Sequence, residues 1–251
     1  MALDPKYRLE QFSSVFDLRN SEGKPFLLIG GQAVNFWAER YLHEEPNLKS
    51  LQPFTSEDID FKGNRTDVEL IAKQLNLRAI FPDPREMTSL AGAIPFRIDG
   101  LGSNIEVVRR IPGVPPSAER AAMEVAWNGK HLRLLDPVSL FASKLKLFAT
   151  VSQTDRQDAR HLRILVHCVR CFLDDLLDEV HHGKFQSRHW LNIVSYYLKI
   201  TSTKVAGRTA SDLGLSWQDA LPWEAITASS DPKIIRFLAN AGRLTQPDFR
   251  L

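Results

Sequence analysis

The stretch Thr55-Ser56-Glu57-Asp58-Ile59-Asp60-Phe61 decides how this chain reads. From Asp58 to Phe61 acidic and apolar residues alternate, which is the pattern of a half-buried strand. Side chains two apart on a strand share a face, so Asp58 and Asp60 project together while Ile59 and Phe61 turn to the core. Two adjacent carboxylates repel unless a cation neutralises them, and paired hard oxygen ligands suit Mg²⁺ together with substrate phosphate oxygens. Alone, an Asp-x-Asp pair reads more simply as decoration of a solvent-facing strand edge. The residues upstream change that balance. Pro25 precedes a short apolar strand, Phe26-Leu27-Leu28-Ile29, which ends at Gly30-Gly31. Ala33, Val34, Trp37 and Tyr41 then mark a helix over 32–42. Backbone amides at a helix N-terminus, with no Cβ in the way, can approach a triphosphate closely.

Working outward, Leu9, Phe12, Val15 and Phe16 fall at helical spacing within an amphipathic helix over 7–18. Residues 43–56 are polar and hold Pro46 and Pro53, so they read as a loop. A helix is expected over 66–76, with Thr66 as N-cap and Glu69 completing a capping box. Strands are expected over 96–99 and 104–108, joined by Gly100-Leu101-Gly102-Ser103, and again over 131–135. From Asp136 onward the pattern is helical, over 136–150, 155–180, 189–200 and 232–241. Strands interleaved with helices, followed by helices alone, predict an α+β domain over 1–136 and a helical C-terminal region over 137–251. The boundary falls near Pro137.

The order LIGGQAVNFW…TSEDIDF resembles the DNA polymerase beta-like nucleotidyltransferase superfamily, marked by a glycine pair followed by an acid-x-acid strand. Within it the chain is most similar to the AbiEii-type abortive-infection toxins and related uncharacterised bacterial nucleotidyltransferases. The resemblance continues in Ile98-Asp99-Gly100 and Ile105-Glu106-Val107-Val108, then in LLDPVSLFASKLKLFAT and DRQDARHL, and covers residues 26–165. It implies a small mixed sheet flanked by helices and a Mg²⁺-dependent transfer of a nucleoside monophosphate from an NTP. Gly30 and Gly31 would hold the nucleotide phosphates, and Asp58, Asp60 and Glu106 would bind Mg²⁺, with room for two ions. Lys144 would reach a phosphate as a point charge. Asp158 would orient Lys144 or Arg156. RNA is the acceptor the resemblance suggests, and a cognate antitoxin protein the partner, making the chain the toxin of a toxin–antitoxin pair.

Two departures stand out. Twenty-six residues separate Gly31 from Asp58, more than in minimal members, so 43–54 reads as an insertion. The third acid is Glu106 where Asp is common, with Asp99 as the fallback. Both leave open a second reading, a catalytically silent member that binds nucleotide, RNA or a partner protein. The same acids would also support hydrolysis of phosphate esters.

The bulk properties place few limits on this. The chain has 251 residues, 43% hydrophobic and 25% charged, with a formal net charge of +2. That charge is too near neutral to indicate nucleic-acid binding by itself. MALDPKYRLEQF lacks the apolar core of a secretory signal, and runs such as Phe26–Ile29 are far too short for a bilayer, so a cytoplasmic protein with no membrane contact is expected. Cys168 and Cys171 lie within a helical run with no second pair and read as reduced structural thiols. Arg156, Arg160, His161, Arg163, His167 and Arg170 could guide RNA phosphates, but read more simply as the solvated face opposite Leu162, Leu165, Val166, Val169 and Phe172. Trp190, Trp217 and Trp223 read as packing residues.

Overall fold

The computed structural model describes residues 6–154 and 156–244. They form two compact units, the first ending at Ile164 and the second beginning at Leu165. Together they make the α+β chain expected, with a mixed sheet and its helices in the first and helices alone in the second. The sequence places its boundary near Pro137. By contacts, the helix that follows Pro137 and the start of the next group with the sheet.

The first unit contains β1 (Leu27–Ile29), α1 (Gly30–Tyr41), β2 (Ile59–Lys62), α2 (Arg65–Leu75), β3 (Leu90–Ile98), β4 (Leu101–Val108), α3 (Pro116–Arg120), β5 (Met123–Trp127), β6 (Lys130–Leu134) and α4 (Pro137–Thr150). The six strands lie in the order β3-β4-β2-β1-β6-β5. β2 runs antiparallel to β1 and parallel to β4, and β1 runs parallel to β6. Both edges are hairpin arms, β3 against β4 and β5 against β6. Pro95 sits in β3, where an edge strand tolerates the missing donor. Ile59 and Phe61 of β2 are buried, as the alternation requires, and the three residues of β1 are buried throughout.

Several expectations change in detail. The opening amphipathic segment is a 3-10 helix over Leu9–Asp17, burying the four apolar residues that defined it. A second 3-10 helix, Pro46–Leu51, lies in the expected loop. The capping box of α2 is Asn64 with Asp67, not Thr66 with Glu69. The Asn64 side chain accepts from the amides of Thr66 and Asp67, and Asp67 accepts from the Asn64 amide at 2.8 Å. Glu69 instead pairs with Arg65 at 3.1 Å. The hairpin turns at Asp99-Gly100, both left-handed, so the strands on either side are longer than expected. A second such turn, Asn128-Gly129, joins β5 to β6, and β5 went unread in the sequence.

α4 is capped by Asp136, which accepts from the Ser139 amide at 2.9 Å and its hydroxyl at 2.6 Å. Pro137, with no amide proton to lose, occupies the first turn. Trp37 anchors α1 by donating from its indole to the Leu135 carbonyl at 2.9 Å and stacking on Tyr41.

α5 (Asp158–His181) continues from the first unit into the second. Its expected start, Asp155, lies outside the described residues. The second unit goes on through α6 (Ser187–Thr201), α7 (Lys204–Leu213), α8 (Trp223–Ala228) and α9 (Pro232–Leu244). Trp190 and Trp217 are buried there and donate to the carbonyls of Leu173 and Ala206, while Trp223 is half-buried. Cys168 and Cys171 form no disulfide, and burial holds the Cys168 thiol well above its ordinary range. No helix among the described residues is long and apolar enough to cross a membrane.

Candidate active site

Three strands carry the candidate site. In the ladder Ile29 lies opposite Asp60, and Asp60 lies beside Glu106 on the other side. Asp58 immediately precedes β2, which begins at Ile59. Asp58, Asp60 and Glu106 each offer a carboxylate oxygen within 4.8 Å of the others. Among the described residues they form the one group of three or more such side chains placed to share an ion. The extra methylene of Glu106 does not keep it from this group. Asp99, the alternative third acid, sits at the hairpin turn, where its carboxylate accepts from Gln11 at 3.4 Å.

The glycine pair is shaped by these acids. Gly30 has φ +68° and opens α1, and a Cβ there would land on the Asp60 carboxylate. The backbone of Gly31 donates to Asp60. A Cβ on Gly31 would come within 2.5 Å of the Ser56 hydroxyl and 3.2 Å of His161 Cε1. Both glycines are therefore required by close neighbours before any ligand is considered.

The charge balance is uneven. Burial pushes the Asp60 carboxyl well above the usual range, and the charges of Asp58 and then Glu106 push it further; Lys144 and the Gly31 amide offset part of this. Asp58 is raised by burial against the pull of Lys144 and the Ser56 hydroxyl, which lies 3.4 Å from Asp58 Oδ1. Glu106 is raised by burial and by Asp58, and Arg156 opposes the shift. Three acids that resist ionising together make a site short of positive charge.

The available cations are Lys144 of α4 and Arg156, two residues before α5. Lys144 of α4 is 6% exposed and donates to Asp158 Oδ1 at 3.1 Å. Arg156 donates to Asp158 Oδ2 at 2.6 Å. Burial pushes the Asp158 carboxyl up, but Lys144 and then Arg156 more than offset it and hold it below the usual range. Asp158 thus orients both cations, each of which acts on the acidic group.

An open groove of about 1060 Å³ runs past the acids. Asp58 and Glu106 line it with Leu75, Pro95, Phe96, Arg97 and Asn104. Arg109, just past the end of β4, donates to the Leu90 carbonyl at 2.7 Å.

Sequence reasoning missed Ser56, which carries no pattern of its own. It also misread part of α5. His161 does not face solvent but is 3% exposed and lies against Gly31. Arg160 is tied to the carbonyls of Leu51 and Pro53. The spacing held the signal, because His161 stands three residues after Asp158 and so shares its helix face.

No protein-family model matches the chain, and a search of curated proteins gave no match. Among solved structures, the chain is similar to JHP933 from Helicobacter pylori, at 16% identity over 94% of this chain and 96% of that one, with a TM-score of 0.39. It is also similar to an antigenic nucleotidyltransferase-like protein from Paracoccidioides brasiliensis, at 13% identity over 64% of this chain and 71% of that one, with the same TM-score of 0.39.

Proposed function

We propose that the protein is a Mg²⁺-dependent nucleotidyltransferase that moves a nucleoside monophosphate from an NTP to an acceptor hydroxyl. The observation that carries this reading is the cluster of Asp58, Asp60 and Glu106 beside the glycine turn at the start of α1. The residues fit a divalent cation: three hard oxygen donors lie within reach of one another, and their carboxyls are held up by burial and mutual repulsion. Bound there, Mg²⁺ would neutralise charge on the reacting phosphate and on the attacking and leaving oxygens.

The chain's own groups supply the rest. The amides after Gly31 bind the triphosphate at the positive end of α1. Lys144, steadied by Asp158, stabilises the departing pyrophosphate as a point charge. The acceptor oxygen bonds to the α-phosphorus as the bond from that phosphorus to the bridging oxygen breaks. Glu106, which lines the groove where the acceptor enters, takes the acceptor's proton. The groove past Asp58 and Glu106 admits the acceptor. In the finer reading the acceptor is RNA and the protein is the toxin of an AbiEii-type pair, held in check by an antitoxin. That part rests on the sequence resemblance.

The test incubates the purified protein with Mg²⁺ and each α-labelled NTP, with total RNA and cell extract as acceptors. The Asp58→Ala, Asp60→Ala double variant runs alongside. Label transfer that the variant lacks supports the enzyme, and the labelled band names the acceptor. Metal-dependent nucleotide binding with no transfer of any of the four would replace it with a silent binding module.

A further inference from the structure

His161 is a buried polar group that neither the fold nor the proposed chemistry has used. Its ring is 3% exposed, and neither ring nitrogen has a hydrogen-bond partner among the described residues. A neutral imidazole has one donor and one acceptor to satisfy, and leaving both buried and unpaired is costly. The placement is specific. The ring edge between the two nitrogens faces the missing side chain of Gly31, with Cε1 3.2 Å from where a Cβ would stand. The Ser56 hydroxyl reaches the same point, at 2.5 Å.

The charged groups acting on this ring are all cations. Burial first, and then Lys144, Arg160, Arg156 and Lys6, hold the imidazole well below the ordinary histidine range and so keep it neutral. Their own partners are few: Asp158 serves both Lys144 and Arg156, Glu57 lies 3.7 Å from Lys6, and Arg160 has backbone carbonyls. A buried imidazole with no protein hydrogen-bond partner, acted on by four cations beside a glycine turn, is complementary to an anion.

We propose that His161 is a phosphate-binding residue, donating from a ring nitrogen to a phosphate oxygen of the NTP at the Gly30-Gly31 turn once the Ser56 hydroxyl rotates aside. This rests on the nucleotidyltransferase reading and adds to it a contact from α5. No protein group among the described residues pairs with the imidazole, and the nucleotide supplies a partner. No bond is made or broken, so His161 acts on affinity and not on the chemical step.

The experiment measures Kd by calorimetry for the preferred NTP and for inorganic tripolyphosphate, both with Mg²⁺, on the wild type, His161→Phe and His161→Gln. His161→Phe keeps the bulk without the nitrogens, and it is expected to weaken both ligands about tenfold. His161→Gln, which keeps a donor, should recover most of that loss. Melting of the ligand-free Phe variant should equal or exceed the wild type, because two unpaired polar atoms are removed. On the wild type, long-range nitrogen–proton spectra should show the His161 ring signals shifting on addition of tripolyphosphate, a readout independent of any variant's folding. Unchanged Kd in His161→Phe, or ring signals that stay put, would overturn the proposal while label transfer by the wild type still stood. A wild type that binds neither ligand would overturn the functional reading and this contact with it.

Discussion

Replacing Asp60 by Asn should make the metal-free protein more stable, although it should abolish label transfer. The three carboxylates lie within 4.8 Å of one another. At an effective dielectric of about 20, two full charges at that distance repel by roughly 3 kcal/mol. Partial protonation and the Lys144 ammonium reduce this, leaving an expected gain of roughly 1–2 kcal/mol near neutral pH. Asn retains an oxygen to accept the Gly31 amide, and its NH₂ can donate to the neighbouring carboxylates. The sign follows from the direction of the shift. All three carboxyls are raised on folding, so the native state holds their protons longer and loses stability as pH climbs above the ordinary carboxylate range. The gain in Asp60→Asn should therefore vanish near pH 4 and open on the way to pH 8. The assay is thermal melting of both proteins in a chelator across that range, where the gain corresponds to roughly 2–8 °C for a chain of this size. Saturating Mg²⁺ should reverse the order by stabilising the wild type alone. A variant that melts below the wild type in chelator at pH 8 would refute the idea that these acids are crowded at a cost.

Other substitutions probe the supports of the site. Asp158→Ala strips the shared partner from a buried lysine and an arginine and should cost roughly 3–5 kcal/mol by chemical denaturation, whereas adding Lys144→Met should recover part of that loss. Gly30→Ala puts a Cβ against the Asp60 carboxylate at a left-handed φ; it should weaken Mg²⁺ binding by titration as well as lower the melting temperature. Glu39 is pushed up to about 7, by burial first and then by Glu10. The stability it contributes is full below its ordinary value near 4.5 and is lost as pH rises towards 7, so Glu39→Gln should match the wild type at pH 4 and exceed it by roughly 1–3 kcal/mol at pH 8.

What the sequence made readable was local and periodic. The alternation at Asp58–Phe61 announced β2, and the apolar run before Gly30 announced β1, because each strand's burial is written in its own residues. The i, i+2 rule also placed Asp58 with Asp60. Glu106 joined them only through a parallel pairing across 46 positions, which no local pattern encodes and the resemblance supplied. Helix ends were less legible. Thr66 and Asn64 are both good caps, and the choice fell to the Asp67 carboxylate that could answer Asn64. β5 alternates weakly because it is an edge strand with half-buried and exposed positions, although its Asn-Gly turn was a usable sign. His161 was misassigned because helical charge patterns say which face is polar and not whether that face is wet.

The four residues of β2 are held on both sides, by β1 and by β4. A slip of one residue along either neighbour would turn Ile59 and Phe61 into the cleft and send Asp60 into the apolar interior. Hydrophobic burial in this strand therefore works as a proofreading device for the chemistry, since the arrangement that hides two large side chains is the one that presents the acids. A mutation can disarm such a protein without touching an acid: a polar residue at position 61 would blur the alignment, and the defect would be measured as lost catalysis.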